Sequence, residues 1–195
     1  FWKKISNKIY MVTCPSEETK KDLMKFNIFP EEKLKVIYDP ILEVKEIHRK
    51  LNYQKKKNLL NNKNYFLNIG RLTKQKNQAL LINVFSKLLK NNNNLCLYIA
   101  GDGEEKKILK KMIVDRQVQN NVFLLGYCEN VFPLIKNSSA VISTSLWEDP
   151  GAVMVESAYC NKLVISSNCP NGPKEFLQYG ECGYLFKNND PIDLE

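Results

Sequence analysis

Short runs of apolar residues alternate with longer amphipathic segments along most of the chain. Five continuous runs lie at residues 65–69, 95–100, 122–125, 140–143 and 163–166. Such runs are typical of strands that are buried on both faces, as in parallel sheets. The segments between them predict helices over residues 77–90, 104–117, 131–137 and 151–159, because their apolar residues recur every three to four positions. This alternation predicts an α/β fold, a Rossmann-like doubly wound parallel sheet.

Both ends of the chain carry incomplete versions of the same pattern. Residues 9–13 and 34–38 predict two strands around a helix over residues 17–26, with Ser16 as its N-cap. We interpret residues 1–42 as the last part of a preceding domain, 43–63 as a Lys-rich linker and 64–195 as the main domain. Residues 183–186 predict a sixth short strand, after which the pattern stops. The expected architecture is therefore truncated at both ends.

Composition excludes several classes of protein. The 195 residues are 44% hydrophobic and 26% charged, which excludes wholesale disorder. No apolar run approaches the roughly 18–20 residues of a membrane span. The six cysteines are widely spaced and the chain has one histidine, so we expect no metal site and reduced, packed thiols.

The positive charge is concentrated in the first third of the chain. Residues 1–63 contain 15 Lys+Arg and 8 Asp+Glu, a balance of +7 out of a total of +8. The Lys runs reflect either compositional bias or a surface that contacts anionic lipid headgroups at the membrane. Only three of the 29 basic residues are Arg, and no recognisable nucleic-acid module is present, so we expect no nucleic-acid partner.

Candidate chemistry lies in the loops that follow the predicted strands, where open α/β sheets bind ligands. Gly70, Arg71 and Lys76 follow the first strand of the main domain. Gly70 permits a close turn, and the two cations flank the start of the next helix. With the free N–H groups of that helix, they predict a site for an anion such as a phosphate.

A second glycine-containing loop follows the next strand. Gly101-Asp102-Gly103 begins like a dinucleotide fingerprint, but Lys106 occupies the position of its third glycine. We therefore favour a tight strand-to-helix turn there. The loop at residues 168–175 contains Pro and Gly and leads into a short helix, a pattern for which a structural role suffices.

Two carboxylates flank a fourth loop, after residues 140–143. Pro150 and Gly151 interrupt the chain between Glu148 and Glu156, so Glu148 is predicted in the loop and Glu156 in the helix that follows. Side chains on a helix lean toward its N-terminus, so Glu156 is expected to point back toward a ligand held by the loop.

Together these motifs resemble the C-terminal, donor-binding half of family-4 retaining glycosyltransferases of the GT-B fold, over roughly residues 5–195. The resemblance rests chiefly on the Gly70–Asn77 loop and on the Glu148/Glu156 pair, which has the E-x7-E spacing. Residues 146–151 and 166–175 resemble bacterial enzymes that build surface polysaccharide or lipopolysaccharide.

The resemblance implies a role for each matching residue. Arg71 and Lys76 would hold the donor diphosphate beside Gly70 and stabilise its charge during catalysis. Glu148 would lie near the transferred sugar, and Glu156 would bind the ribose hydroxyls. The remaining donor contacts would come from the residues around the sugar and phosphate, and from those bordering the base: Asp149, Pro150, Gly151, Ala152, Gly126 and Tyr127.

The implied reaction is transfer of a sugar, with retention, from a nucleotide-diphosphate sugar to a glycan or lipid-linked acceptor. UDP is the favoured carrier, and no cofactor or metal is expected because the chain has no D-x-D. The enzyme is expected in the cytoplasm, with peripheral contact at the inner face of the membrane. Relatives usually read E-G-F-G-x-P here, whereas Asp149, Pro150 and Val153 replace Gly, Phe and Pro; Asp149 is expected to affect which sugar fits.

Two alternatives stay open. The first is a non-catalytic module that binds a nucleotide sugar, and the second is a Rossmann-type dinucleotide oxidoreductase. Because nearly all of the acceptor domain lies outside residues 1–195, we expect this chain alone to bind the donor poorly and not to turn over.

Overall fold

The computed structural model describes residues 1–53, 64–148 and 151–195, without the side chains of residues 52 and 53. In those residues the strands are β1 (Val12–Cys14), β2 (Leu34–Val36), β3 (Tyr65–Ile69), β4 (Cys96–Ala100), β5 (Val122–Gly126), β6 (Ala140–Ser143), β7 (Val164–Asn168) and β8 (Tyr184–Lys187). The helices are α1 (Trp2–Ile5), α2 (Glu17–Lys25), α3 (Val44–Tyr53), α4 (Gln78–Asn91), α5 (Lys106–Asp115), α6 (Phe132–Asn137), α7 (Ala152–Tyr159), α8 (Pro173–Phe176) and α9 (Pro191–Leu194).

The main sheet is parallel throughout, and its order is β5-β4-β3-β6-β7-β8. This is the doubly wound order in which the first strand, β3, lies in the middle and the chain then builds outward on each side. The predicted α/β fold is therefore confirmed. The strand order reverses between β3 and β6, and this is the point at which open α/β sheets have a ligand crevice outside the carboxyl ends of the strands.

Helices cover both faces of the sheet, which explains the continuous apolar runs. All five residues of β4 are buried. Leu97 and Ile99 belong to a core cluster with Leu81 and Phe85 of α4, whereas Tyr98 belongs to a cluster on the opposite face. Each fully buried side chain of this size contributes roughly 1.5–3 kcal/mol relative to an exposed one.

The opposite face is built around aromatic rings. The ring centroid of Tyr98 lies 4.8 Å from that of Tyr65 and 5.0 Å from that of Phe123. The Tyr65 hydroxyl donates to the carbonyl of Leu134 at 2.7 Å. Burial raises the pKa of Tyr65 to about 12, so this hydroxyl keeps its proton and anchors α6 to the sheet.

Residues 1–42 contain a second, two-stranded parallel sheet of β1 and β2. Helix α2 begins as predicted: the Ser16 hydroxyl accepts the N–H of Thr19 at 3.0 Å. The first strand is shorter than the predicted 9–13, because it pairs with β2 only over Val12–Cys14. The carboxylate of Glu175, from the short helix α8, also accepts the N–H groups of Glu17 and Glu18.

The predicted Lys-rich linker, residues 43–63, contains helix α3. Ile47 of α3 is buried, and the carbonyl of Lys50 accepts the Nδ2 of Asn130 at 2.9 Å. Residues 54–63, which hold most of the Lys runs, lie outside the described residues. Within the described part of the chain, no helix combines the length and the apolar character that a membrane crossing needs.

Candidate functional site

The loops that follow β3 and β6 lie against each other where the strand order reverses. The N–H of Leu146 donates to the carbonyl of Gln75 at 2.8 Å, and the Nε2 of Gln75 donates to the carbonyl of Trp147 at 2.9 Å. Because ligands of open α/β sheets bind at this point, the candidate site is the crevice at residues 70–77 and 144–148.

A largely buried ion pair joins the two loops. The Nζ of Lys76 lies 2.5 Å from Oε1 of Glu148, and the two side chains are 20% and 8% exposed. An ion pair removed from solvent is screened far less than one at the surface. The sequence motifs predict both residues in one site, but they do not predict that the two side chains contact each other.

Glu148 is held from several directions. The Ser145 hydroxyl donates to Oε1 of Glu148 at 2.5 Å, and the N–H of Glu148 donates to the carbonyl of Pro170 at 3.1 Å. The Ser167 hydroxyl in turn donates to the carbonyl of Ser145 at 2.5 Å. Glu148 therefore has a fixed position that the end of β7 supports.

Contact between glycine backbones brings the two glycine-containing loops together. A Cβ on Gly101 would lie 1.8 Å from the carbonyl oxygen of Gly70, and one on Gly103 would lie 2.4 Å from that of Leu72. The N–H of Leu72 donates to the carbonyl of Asp102 at 2.9 Å. These glycines have a packing function, which confirms the tight-turn interpretation of Gly101-Asp102-Gly103.

Gly70 also lies beneath the aliphatic part of Lys76. A Cβ on Gly70 would be 3.4 Å from Cδ of Lys76. Arg71 is exposed at the mouth of the same loop, and no hydrogen bond or ion pair engages its guanidinium among the described residues. Of the two predicted cations, one is thus already paired and the other faces solvent.

Gly126 and Tyr127 lie at the same edge of the sheet, after β5. The carbonyl of Gly126 accepts the N–H of Gly101 at 2.8 Å, which links the end of β5 to the glycine turn. Gly126 has φ 76°, a left-handed conformation that favours glycine. The side chain of Tyr127 is exposed, so its ring is accessible to a flat ligand group.

Gly151 and Ala152 begin helix α7. Gly151 has φ 78°, and a Cβ there would lie 2.3 Å from Cε of Met154. Ala152 is exposed in the first turn of α7. Asp149 and Pro150, which the resemblance also assigned to the donor site, lie outside the described residues.

Glu156 is partly buried in α7 and is separate from the Lys76–Glu148 pair. Burial raises the pKa of Glu156, and the positive charge of Lys50 on α3 partly offsets that rise. Its placement on the helix, after the loop that carries Glu148, agrees with the sequence analysis. The contribution of α3 to its surroundings was not expected.

Several polar residues of the site were not singled out from the sequence. Ser145, Ser167 and Thr144 are buried at strand ends, and the Thr144 hydroxyl donates to the carbonyls of Lys76 and Asn77 at 3.0 and 3.1 Å. Their one visible signal is that small polar residues end the apolar runs of β6 and β7. Cys169 is also buried here, which raises the pKa of its thiol; the nearby Glu148 charge raises it further.

The arrangement suits an anionic ligand. The exposed guanidinium of Arg71 supplies positive charge beside the Lys76–Glu148 pair, and the glycines of the two loops let their backbones lie close together. Among residues 1–53, 64–148 and 151–195, no group of three or more His, Cys, Asp or Glu side chains is placed to hold a metal ion.

Curated proteins similar to this chain include two glycosyltransferases. The chain is 40% identical over 121 residues to "Uncharacterized glycosyltransferase MJ1059" of Methanocaldococcus jannaschii, an alignment that covers 62% of this chain and 30% of that protein. It is 32% identical over 126 residues to the poly(ribitol-phosphate) alpha-N-acetylglucosaminyltransferase of Staphylococcus aureus, which covers 65% and 26%. The matched part thus spans less than a third of either relative.

A solved structure of Staphylococcus aureus TarM, in complex with Fondaparinux, alpha-GlcNAc-glycerol and UDP, is also similar. The TM-score is 0.81 at 26% sequence identity, and the match covers 98% of this chain and 36% of that one. The solved structures that this chain resembles are GT-B enzymes, as the resemblance of the sequence motifs implied. The family model described as "Glycosyl transferases group 1" matches residues 50–195, and the chain belongs to this family of glycosyltransferases.

Proposed function

We propose that this chain is the donor-binding part of a retaining enzyme that transfers a sugar from a nucleotide-diphosphate sugar, with UDP as the favoured carrier. The proposed acceptor is a glycan or lipid-linked molecule in the synthesis of a bacterial cell-surface polymer. The observation that carries the proposal is the Lys76–Glu148 pair, which lies with Arg71 at the point where the strand order reverses.

The chemistry of the leaving group explains why two cations are needed there. When the bond between the sugar C1 and the phosphate oxygen breaks, the nucleotide diphosphate departs with the electron pair. Positioned charges that stabilise this developing negative charge commonly supply the largest part of catalysis. Lys76 and Arg71 would provide that stabilisation without a metal. The acceptor hydroxyl would attack C1 from the same face and pass its proton to the departing phosphate oxygen.

The other residues would orient the donor. Glu148 is fixed by Lys76 and Ser145, so its carboxylate would contact the transferred sugar from a constant position. Glu156 would accept hydrogen bonds from the ribose, and the ring of Tyr127 would border the base beside Gly126. The N–H groups of Gly151 and Ala152 would face the sugar and phosphate.

Similarity to named proteins supports the class of substrates. The TarM structure was solved with UDP and alpha-GlcNAc-glycerol, and the staphylococcal relative is named for transfer to poly(ribitol-phosphate). A phosphate-rich or lipid-linked acceptor would place the enzyme in the cytoplasm near the membrane surface. The excess of Lys in residues 1–63 would favour peripheral contact with anionic lipids there.

Calorimetric titration of UDP, GDP, ADP and NAD into the full-length protein, which includes the acceptor domain, tests the proposal. We expect one nucleoside diphosphate to bind, and Lys76→Ala to weaken it at least about tenfold, because a charge-assisted contact to phosphate is lost. Lys74→Ala is the matched control, since Lys74 is an exposed residue of the same 3₁₀ turn.

Each contrary result has a defined meaning. Equal losses of nucleotide affinity in Lys76→Ala and Lys74→Ala would show that net charge, and not the position of Lys76, causes the effect. Binding of NAD alone would indicate the oxidoreductase. Diphosphate binding without transfer to any acceptor would indicate the non-catalytic module.

A further inference from the structure

Two buried polar side chains hold the main chain on which the cations are carried. The Nε2 of Gln78 donates to the carbonyl of Arg71 at 3.0 Å. The hydroxyl of Thr144 donates to the carbonyls of Lys76 and Asn77. Gln78 is 1% exposed and Thr144 is 0% exposed, so neither is placed to contact a ligand in the crevice directly.

We infer that Gln78 and Thr144 are positioning residues, which fix the backbone of Arg71 and Lys76 so that both cations face the donor diphosphate. The inference rests on the proposed function and extends it to residues that do not touch the donor. Because they come from α4 and from the end of β6, they join the cationic loop to both sides of the crevice.

The local backbone explains why such fixing is needed. Residues 74–76 form a single 3₁₀ turn, and Asn77 then adopts φ 50° and ψ 41°, a left-handed conformation that is uncommon outside glycine. The Thr144 hydroxyl donates to two successive carbonyls, which lie before and after the Cα of Asn77. This contact holds the direction in which the Lys76 side chain leaves the loop.

The packing around position 78 does not require a glutamine there. Its Oε1 is buried and has no hydrogen-bond partner in the described residues, which disfavours an amide at this position. The carbonyl of Arg71 also accepts the N–H of Thr73 at 3.0 Å, so it would not be orphaned without Gln78. An apolar side chain of similar length would therefore suit the core, and the amide is better explained by its effect on Arg71.

Substitutions that keep the shape and remove the hydrogen bond test this inference in the intact protein. Thr144→Val and Gln78→Met remove the donors, whereas Thr144→Ser keeps the hydroxyl. The probes are UDP and uridine, which differ by the diphosphate alone; if another base binds in the titrations, its diphosphate and nucleoside replace them.

We expect Thr144→Val and Gln78→Met each to lower the affinity for UDP about five- to tenfold, the range of one misplaced hydrogen-bonding or charged contact. The affinity for uridine should stay within about twofold, and Thr144→Ser should restore UDP binding. Gln78→Met should shift the thermal midpoint by less than about 3 °C.

A purely structural role gives a different pattern. Equal losses for UDP and uridine, or unchanged UDP binding in the folded Thr144→Val and Gln78→Met variants, would overturn the inference. If Thr144→Val does not fold, Gln78→Met alone decides. If Lys76→Ala also leaves UDP binding unchanged, the proposed function fails as well; if Lys76→Ala weakens it, this inference alone fails.

Discussion

Two loops after neighbouring strands contain similar residues and do different things. The loop after β3 contains Gly70 and Lys76, and the loop after β4 contains Gly101 and Lys106. Each Lys lies 2.5 Å from a carboxylate, Lys76 from Glu148 and Lys106 from Asp102. The first pair joins residues 72 positions apart and is mostly buried, whereas the second lies within one turn of chain and is exposed.

The difference shows that the structural role of a glycine or a charged residue depends on what it contacts. Gly101 has no room for a side chain because the backbone of Gly70 lies against it. The second loop therefore packs directly against the first and supports its backbone. Its ion pair lies in solvent and lowers the pKa of Asp102, mainly through the hydrogen bond from Lys106.

The largest expected effect comes from separating the loops. Gly101→Ala would place a methyl group on the carbonyl of Gly70 at φ +150°, and we expect it to lower the free energy of unfolding by at least about 3 kcal/mol. Gly180→Ala is the control, because Gly180 also has positive φ but open space around it; strain alone should cost about 1–2 kcal/mol. Urea unfolding measures both, and similar midpoints would show that the contact is not tight.

Removing one partner of the buried pair should have the next largest effect. Lys76→Met leaves Glu148 buried without its cation, which we expect to cost about 3 kcal/mol of unfolding free energy. The double variant Lys76→Met/Glu148→Gln should recover part of that loss, because no charge is then left unpaired.

The matched control for this experiment is in the other loop. Lys106→Met removes the cation of an exposed pair and should leave the urea midpoint and the nucleotide affinity unchanged. If Lys76→Met and Lys106→Met behave alike, burial is not what distinguishes the two loops.

The smallest expected effect concerns Glu156, whose pKa burial raises. A raised folded pKa means that the group contributes full stability below the unfolded value, about 4.3, and that this contribution is lost as the pH rises through the folded value. Glu156→Gln mimics the protonated form, so it should be more resistant to urea than the parent at pH 7 and equal to it near pH 4.

The same variant separates stability from binding. Because Glu156 is proposed to bind the ribose, Glu156→Gln should weaken nucleoside binding at pH 7 even while it stabilises the fold. At each pH, the free energy of unfolding of Glu156→Gln is compared with that of the parent. If the gain of the variant is smaller at pH 7 than at pH 4, burial does not raise the pKa of Glu156.

Much of the architecture was predictable because buried strands leave a direct trace in the sequence. The bounds of β3 and β6 agree with the apolar runs, since both faces of these strands are covered. Helix α3 was missed because it lies in a polar, Lys-rich stretch where Ile47 is buried against the rest of the protein. A local signal was present, because Val44, Ile47 and Leu51 recur at helical spacing, but the polar, Lys-rich residues around them obscured it.

The site was predictable in its charged residues and not in what holds them. Arg71, Lys76 and Glu148 were singled out because charged residues in loops after strands are conspicuous, and Glu156 because it follows Glu148 at the E-x7-E spacing; their roles stay predictions. Thr144, Ser145 and Gln78 were not singled out, because their role depends on the distance between loops that are far apart in sequence. The assignment of residues 1–42, 43–63 and 64–195 to separate units stays a prediction.

The Glu175 carboxylate at the start of α2 has a mechanical consequence. It accepts the N–H groups of Glu17 and Glu18 and the hydroxyl of Tyr38, while the carboxylate of Glu18 accepts the N–H of Asn171. The two sheets are thus fastened by acids that each bond the other side's backbone. A swing of one sheet away from the other would therefore have to break the hydrogen bonds of both acids.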